Sequence, residues 1–551
     1  MNSIVFSRSY WGADQFIILG LFLILFVIEK KFIISPKVRF LLTSLLSISL
    51  TVYLFGPNLK AQWWLIDDHE VFYFLKSKTN QNSWSDLFDI LLNQTEVGKF
   101  GNSSRYRVSY YFLRISESLL WKDKATLWYL FRLSISSLFI FSILGLLSKF
   151  FSFSLSFLFT MYVFTVRYWS DIFSRMATGE LYTVWGVALI ILALSKYRFG
   201  TDKKNPIWVY LCISFGVMIS AGSKENFLIL ILLPIFILFF ERHKSGIWFQ
   251  RIVLIFPILF SIFEVISLLL FHSKNKTDIY GNSTSFADRS AVLLGAVKSE
   301  YVMIPLGLLI VLCSLRLSAS NRIKIRDLKK ILLPAVFVLV VLLNIIFYNG
   351  NWPINTRYDF PGLILFQSAV FLILALTLSE IFKIFKFGVS KRNVAVQLIL
   401  ILYVSSIFSV QGLTNLQRDS RANMKRTISF TASVKKVSSL PKDEMLILYA
   451  YQAYDYEPID SFSRYLNYYD SEISKMILVT DQEAESEFKN GLLRSLRIIS
   501  KEGSAEMKVL PYDEKSIRGK SCTVIIFPPA ALENAPDIRG CRNLRKELVV
   551  Y

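Results

Sequence analysis

The chain has 551 residues, 53% of them hydrophobic and only 19% charged, and its mean hydropathy of +0.45 excludes an ordinary soluble protein, whose single core stops growing near about 250–300 residues. The net charge of +21 raises a nucleic-acid reading, but no basic groove interleaved with aromatic residues is present, and no nucleic-acid partner is expected. What remains is an α-helical polytopic membrane protein of about 12 transmembrane helices, each matching a hydrocarbon core roughly 30 Å thick.

Taken in order, residues 15–29 and 40–56 read as the first two spans, joined by the basic stretch Glu29 to Arg39. No small-residue cleavage site follows the first span, which then doubles as the insertion signal. A long external loop, 57–124, opens on Ile66-Asp67-Asp68-His69-Glu70 and carries amphipathic pieces at Glu70 to Lys76, Trp84 to Leu92 and Tyr106 to Trp121, whose rings alternate with polar groups as in helices lying in the interface. Spans at 125–147 and 150–166 lead to a second external stretch ending in Thr178-Gly179-Glu180. Leu181 to Ser195 spans next, and after a basic loop another span ends at Gly222-Ser223-Lys224-Glu225-Asn226, a tight external turn into Phe227 to Phe240. The span at 252–271 opens into a polar external loop from His272 to Ser299, and spans near 300–315 and 331–348 precede Arg357-Tyr358-Asp359-Phe360-Pro361. Spans at 362–382 and 394–411 complete the membrane part.

Lys and Arg fill alternate connectors, among them Lys30, Lys149, Lys203, Arg242, Arg326 and Lys383. By the positive-inside rule these face the cytoplasm, and the other loops lie outside. The domains are then 1–411, membrane-embedded, and 412–551, a soluble extracytoplasmic unit. β-like runs at Met445 to Tyr449, Met476 to Thr480, Thr523 to Phe527 and Leu548 to Tyr551, with helical pieces such as Asp481 to Arg494, make that unit a small α/β domain. Cys522 and Cys541 both fall in it, where a disulfide is one expectation in an oxidising compartment. The mix of Lys, Ile, Ser and Phe points to a bacterial inner membrane.

This topology brings Asp67, Asp68, His69, Glu180, Lys224, Glu225, Arg357 and Tyr358 to one membrane face. Carboxylates beside cations at head-group depth suit a reaction between a lipid-linked anionic donor and a hydroxyl acceptor, with the acid as general base and Lys or Arg offsetting charge on a phosphate leaving group. A divalent metal, Mg or Mn, on Asp67, Asp68 or Glu180 is a further expectation; adjacent acids diverge in regular structure, which makes Glu180 the alternative second ligand. Each position also has a purely structural reading. Lys224 pairs with Glu225 or snorkels to the interface, Arg357 anchors a span, Glu180 favours a helix N-terminus, and His69 is a solvated loop residue.

The acidic pair Asp67-Asp68 in a long first external loop, Glu180 leading into a span, Gly-Ser-Lys224-Glu225 between spans, and Arg357-Tyr358-x-x-Pro361 before a late span resemble the GT-C glycosyltransferases, over about residues 40–412. The resemblance implies a polyprenyl-phosphate sugar donor and a glycan, lipid or protein acceptor. Asp67 or Asp68 would be the catalytic base, Glu180, with His69 beside the pair, an accessory acid, and Lys224, Arg357 and Tyr358 the donor-phosphate site. His69-Glu70 has no counterpart in a particular subfamily. Two other classes stand beside this one: an O-antigen polymerase or ligase, which leans on arginines, and a transporter, which would place its charges near the bilayer midplane.

Overall fold

The computed structural model describes residues 13–31, 35–64, 68–176, 178–198, 205–241, 247–274, 286–319, 325–407, 410–450, 456–471, 473, 475–480, 506–509, 517–526 and 538–548. Within them the chain is a helical membrane protein carrying a small parallel sheet. Helices α1 (Ala13–Lys31) and α2 (Pro36–Phe55) come first, and α2 starts where Ser35 accepts the Val38 N–H with Pro36 at the first helical position. Three short helices follow outside the spans: α3 (His69–Leu75), α4 (Leu87–Asn93) and α5 (Val108–Trp121). Next come α6 (Ala125–Leu147), α7 (Phe153–Val163), α8 (Tyr168–Phe173), α9 (Gly179–Leu194), α10 (Ile207–Ala221), α11 (Leu232–Phe240) and α12 (Trp248–Lys274). The membrane part ends with α13 (Phe286–Lys298), α14 (Glu300–Ala319), α15 (Ile325–Phe347), α16 (Gly362–Ile384) and α17 (Val389–Ile407).

Among the described residues, five stretches are long and apolar enough to cross a bilayer: Pro36–Lys60, Ala125–Leu147, Trp248–Lys274, Glu300–Leu317 and Gly362–Ile384. Shorter apolar helices lie between them, including Phe153–Val163, Gly179–Leu194, Ile207–Ala221 and Glu225–Phe240. Short helices are held by packing and by polar ties. The Glu29 carboxylate of α1 accepts the backbone N–H of Phe153 at 2.9 Å and of Ser154 at 3.2 Å, satisfying amides that the first turn of α7 leaves open. α9 and α10 touch through glycine: a Cβ on Gly216 would lie 2.6 Å from the Gly186 carbonyl oxygen. Such close approach suits a lipid environment, where small residues let helix backbones pack.

The chain leaves the membrane part on α18 (Val410–Ser438), a helix that runs through the expected boundary at 412. Beyond it, β1 (Met445–Ala450), α19 (Tyr456–Tyr468), β2 (Lys475–Thr480), β3 (Glu506–Val509), β4 (Ser521–Ile526) and β5 (Asn543–Leu548) build a parallel sheet in the order β3-β2-β1-β4-β5. The sequence pattern missed β3, a four-residue edge strand in which Glu506 and Lys508 alternate with Met507 and Val509, and it placed the last strand later than β5. Asp481 to Arg494 lies outside the described residues. The stretch read as a loop from His272 to Ser299 carries α13 in its second half, and 275–285 lies outside the described residues. Cys522 and Cys541 are joined in a disulfide.

The sheet unit shares a core with the long loop of residues 57–124. Phe72 of α3 lies 4.6 Å from the Tyr465 ring and 4.5 Å from the Tyr468 ring, both on α19. Trp63, Val71, Leu75, Phe430, Leu446 and Leu448 fill the same buried cluster. Along α18, Thr427 accepts the Gln62 N–H at 3.0 Å and Thr431 the Trp63 N–H at 3.2 Å. The first loop and the C-terminal unit therefore form one packed body.

Candidate functional site

Three helix ends converge on Glu180. The residue stands in the first turn of α9 and is 2% exposed. Its carboxylate pairs with the Lys224 ammonium, which the turn after α10 delivers, and its other oxygen lies 3.5 Å from the Arg357 Nε, which a 3₁₀ turn before α16 delivers. The Tyr358 ring completes the group, with Lys224 Nζ 4.2 Å and Arg357 Cζ 5.3 Å from its centre, both within cation–π range. Burial pulls the Lys224 ammonium below its ordinary range, against the opposing pull of Glu180. The turn carrying Arg357 is fastened by Asp359, which is fully buried and accepts the Ile354 N–H at 2.8 Å; burial pushes its carboxyl up to about 6.

A second ion pair lies beside the first. Arg107, at the start of α5, grips Glu225 with Nε at 2.8 Å from one oxygen and Nη2 at 3.1 Å from the other. Burial works against the Arg107 charge, and the Glu225 carboxylate more than offsets it. Three residues on, the backbone N–H of Tyr110 donates to the Gly222 carbonyl at 3.0 Å and its hydroxyl donates to Glu70 at 2.6 Å. Burial and then the Glu70 charge hold that hydroxyl far above its ordinary range, so it stays a donor. The Tyr110 ring also borders Gly179, the residue before Glu180. Tyr110 thus ties Glu70 to the backbone turns that carry Glu180 and Lys224.

The stretch 67–70 divides between core and cleft. Asp67 lies outside the described residues. Asp68 is fully buried and accepts the Trp64 N–H at 2.9 Å, and its charge adds to burial in keeping the Tyr465 hydroxyl protonated. Asp68 therefore sits in the buried core beside Tyr465, and it is not among the residues that line the cleft beside Glu70. His69 is buried in the first turn of α3, at 8% exposure, which replaces the solvated-loop reading. Glu70 is the acid that lines open space: a cleft of about 190 Å³ bounded by Glu70, Tyr73, Phe74, Gln94, Tyr111 and Arg464.

The metal expectation does not fit the described donors. Glu180 gives its two oxygens to Lys224 and Arg357, Asp68 gives one to Trp64, and among the described residues no three His, Cys, Asp or Glu side chains gather as a metal site. Lys224, Arg357, Tyr358 and Glu180 do come together, and Lys224 pairs with Glu180 in place of its neighbour Glu225.

The sequence reading gave no role to Arg107 or Tyr110, named Glu70 only as part of the acidic stretch, and missed a buried group farther along α5. There Arg114 and Arg132 flank the Trp128 ring, each at 5.1 Å, and both donate to the Met176 carbonyl. Glu117 accepts from Tyr182 at 2.9 Å and lies 3.5 Å from Arg132. The signal for these residues was present: positions 107, 110, 114 and 117 repeat at helical spacing and put one polar stripe on α5. No family model matches the chain, and no curated protein is significantly similar to it.

Proposed function

We propose that the chain is a membrane glycosyltransferase of about 12 spans that moves a sugar from a polyprenyl-phosphate donor to a hydroxyl on an extracytoplasmic acceptor, in a bacterial inner membrane. The observation that carries this reading is the gathering of Lys224, Arg357 and Tyr358 around Glu180 from three helix ends far apart in sequence. A cation pair held ready by one carboxylate, at the edge of the spans, is suited to receive a phosphate. The anion takes over donors that Glu180 keeps oriented, so little reorganisation accompanies binding. For the base, the reading moves from Asp68 to Glu70, with Asp67 as the other candidate. In the step, the acceptor hydroxyl passes its proton to the carboxylate, its oxygen bonds to the anomeric carbon, and the bond from that carbon to the phosphate oxygen breaks. The electron pair leaves on the polyprenyl phosphate, beside Lys224 and Arg357. The Tyr110 hydroxyl, donating to Glu70, orients the carboxylate.

The test uses the full chain in proteoliposomes with radiolabelled polyprenyl-phosphate sugars and a panel of glycan, lipid and peptide acceptors. Transfer should fall about a hundredfold or more in Glu70→Gln with donor binding retained, and donor binding should weaken in Lys224→Gln and Arg357→Gln. Full turnover in Glu70→Gln, Asp67→Asn and Asp68→Asn alike would sink the carboxylate mechanism.

A further inference from the structure

The C-terminal unit has no role in the transfer as described so far, yet it supplies one wall of the cleft at Glu70. Arg464 of α19 stands there with its guanidinium 4.9 Å from the Tyr73 ring centre. Gln94 and Tyr111 line the same cleft. The cleft has a volume of about 190 Å³ and is open on one side, which lets a sugar ring enter. Its lining combines apolar and polar groups, as a pyranose does. Tyr73, Phe74 and Tyr111 offer flat apolar surface to the C–H face of a ring, while the Glu70 carboxylate, the Gln94 amide and the Arg464 guanidinium offer acceptors and donors to neighbouring hydroxyls. None of these six residues belongs to the cation cluster; Tyr110 donates its hydroxyl to Glu70 and its backbone N–H to the carbonyl of Gly222, two residues before Lys224.

We propose that this cleft is a subsite for a single sugar ring of the acceptor, built jointly by α3, α5 and α19, and that Arg464 and Tyr73 make the C-terminal unit a specificity element. The proposal rests on the glycosyl-transfer reading for its direction, acceptor rather than donor, but not for the binding itself. A glycan acceptor presents a ring with a free hydroxyl to Glu70.

Binding is measured without turnover, on the full chain in lipid nanodiscs, by saturation-transfer NMR and calorimetry with methyl α-D-glucopyranoside, methyl β-D-galactopyranoside, methyl α-D-mannopyranoside and methyl β-D-xylopyranoside. At least one should bind in the millimolar range, and Arg464→Ala and Tyr73→Ala should each weaken it about tenfold or more. Gln94→Ala, at an exposed position, should weaken it several-fold and serves if the other variants fail to fold. Lys435→Ala, exposed on α18, should leave it unchanged. Added polyprenyl monophosphate should leave glycoside binding unchanged or tighten it. Absence of binding for every glycoside, insensitivity to all three cleft variants, displacement by a Ser/Thr peptide, or competition from the polyprenyl phosphate would overturn the proposal. Glycoside binding that the variants abolish, in a protein that transfers no sugar, would keep the subsite and discard the transfer reading; transfer to a glycan that ignores the variants would do the reverse.

Discussion

Glu180 shows how a buried carboxylate can be structural and functional at once. Removing it leaves Lys224, itself 3% exposed, without its counter-ion, and breaking a buried pair from one side costs about 3–5 kcal/mol. We expect Glu180→Gln to lower unfolding stability by about that amount in detergent, and Glu180→Gln combined with Lys224→Met to regain part of it. Equal stability of the single variant and the parent would show that the pair holds nothing in place. Glu96, within electrostatic reach of Glu70 and Arg107, supplies a pH dependence. Burial, its largest influence, raises the carboxyl from 4.5 to about 7. The folded state then holds more protons than the unfolded one between those values, so stability falls as pH rises through that window, and the penalty is complete above pH 7 and absent below 4.5. Glu96→Gln should flatten that slope and stabilise the protein above pH 7 by on the order of 2 kcal/mol after allowance for solvent; chemical denaturation at a series of pH values reads it. At this scale the sequence located the acidic stretch but not which of its members is buried. Asp68 and Glu70 are two residues apart in one turn, and which of them faces the core is decided by where α19 packs, a contact nearly 400 positions away in sequence that no local pattern carries.

Elements were more legible than residues, because apolar length and amphipathic period are local properties. The spans at 125–147 and 362–382 and the in-plane pieces of the first loop correspond closely to α6, α16, α3, α4 and α5. The link between elements and site runs through α9 and α10, since one begins with Glu180 and the other ends just before Lys224. Their spacing is set by Gly186 and Gly216. A Cβ on Gly216 would meet the Gly186 carbonyl oxygen at 2.6 Å and the Ile190 Cγ1 at 2.7 Å, and the first of these is backbone that cannot rotate away. Gly216→Val should therefore force the helices apart, cost about 1–3 kcal/mol or more, and weaken donor binding by displacing Lys224 from Glu180. A variant with full stability and unchanged donor affinity would show that the helices tolerate separation and that the site does not depend on it.

At the scale of the whole molecule, the loop holding Glu70 and the C-terminal unit are one structure, joined by Phe72, Tyr465 and Tyr468 and by the contacts of Thr427 and Thr431 along α18. Sequence could place both on one side only through the count of basic connectors; the structure joins them in a shared core. Single cysteines introduced at Asn102 and Asp419 should accordingly react with an impermeant reagent from the same side, and labelling from opposite sides would contradict the fold itself. Which side that is bears on the Cys522–Cys541 bond, which closes β4 onto the segment leading into β5 across a separation of 19 residues. A loop of that length, once cross-linked, removes chain entropy from the unfolded state worth about 3 kcal/mol, and the bond persists only where the compartment is oxidising. With the site outside the cytoplasm, protein purified without reductant should carry the disulfide, and dithiothreitol or Cys541→Ser should lower the unfolding stability of the sheet unit by about 3 kcal/mol. Protein isolated from native membranes with both thiols free, under conditions that preserve disulfides, would place the C-terminal unit in the cytoplasm. Because Phe72 fastens that unit to the loop of Glu70, the same result would carry the acid and its cleft to the cytoplasmic side.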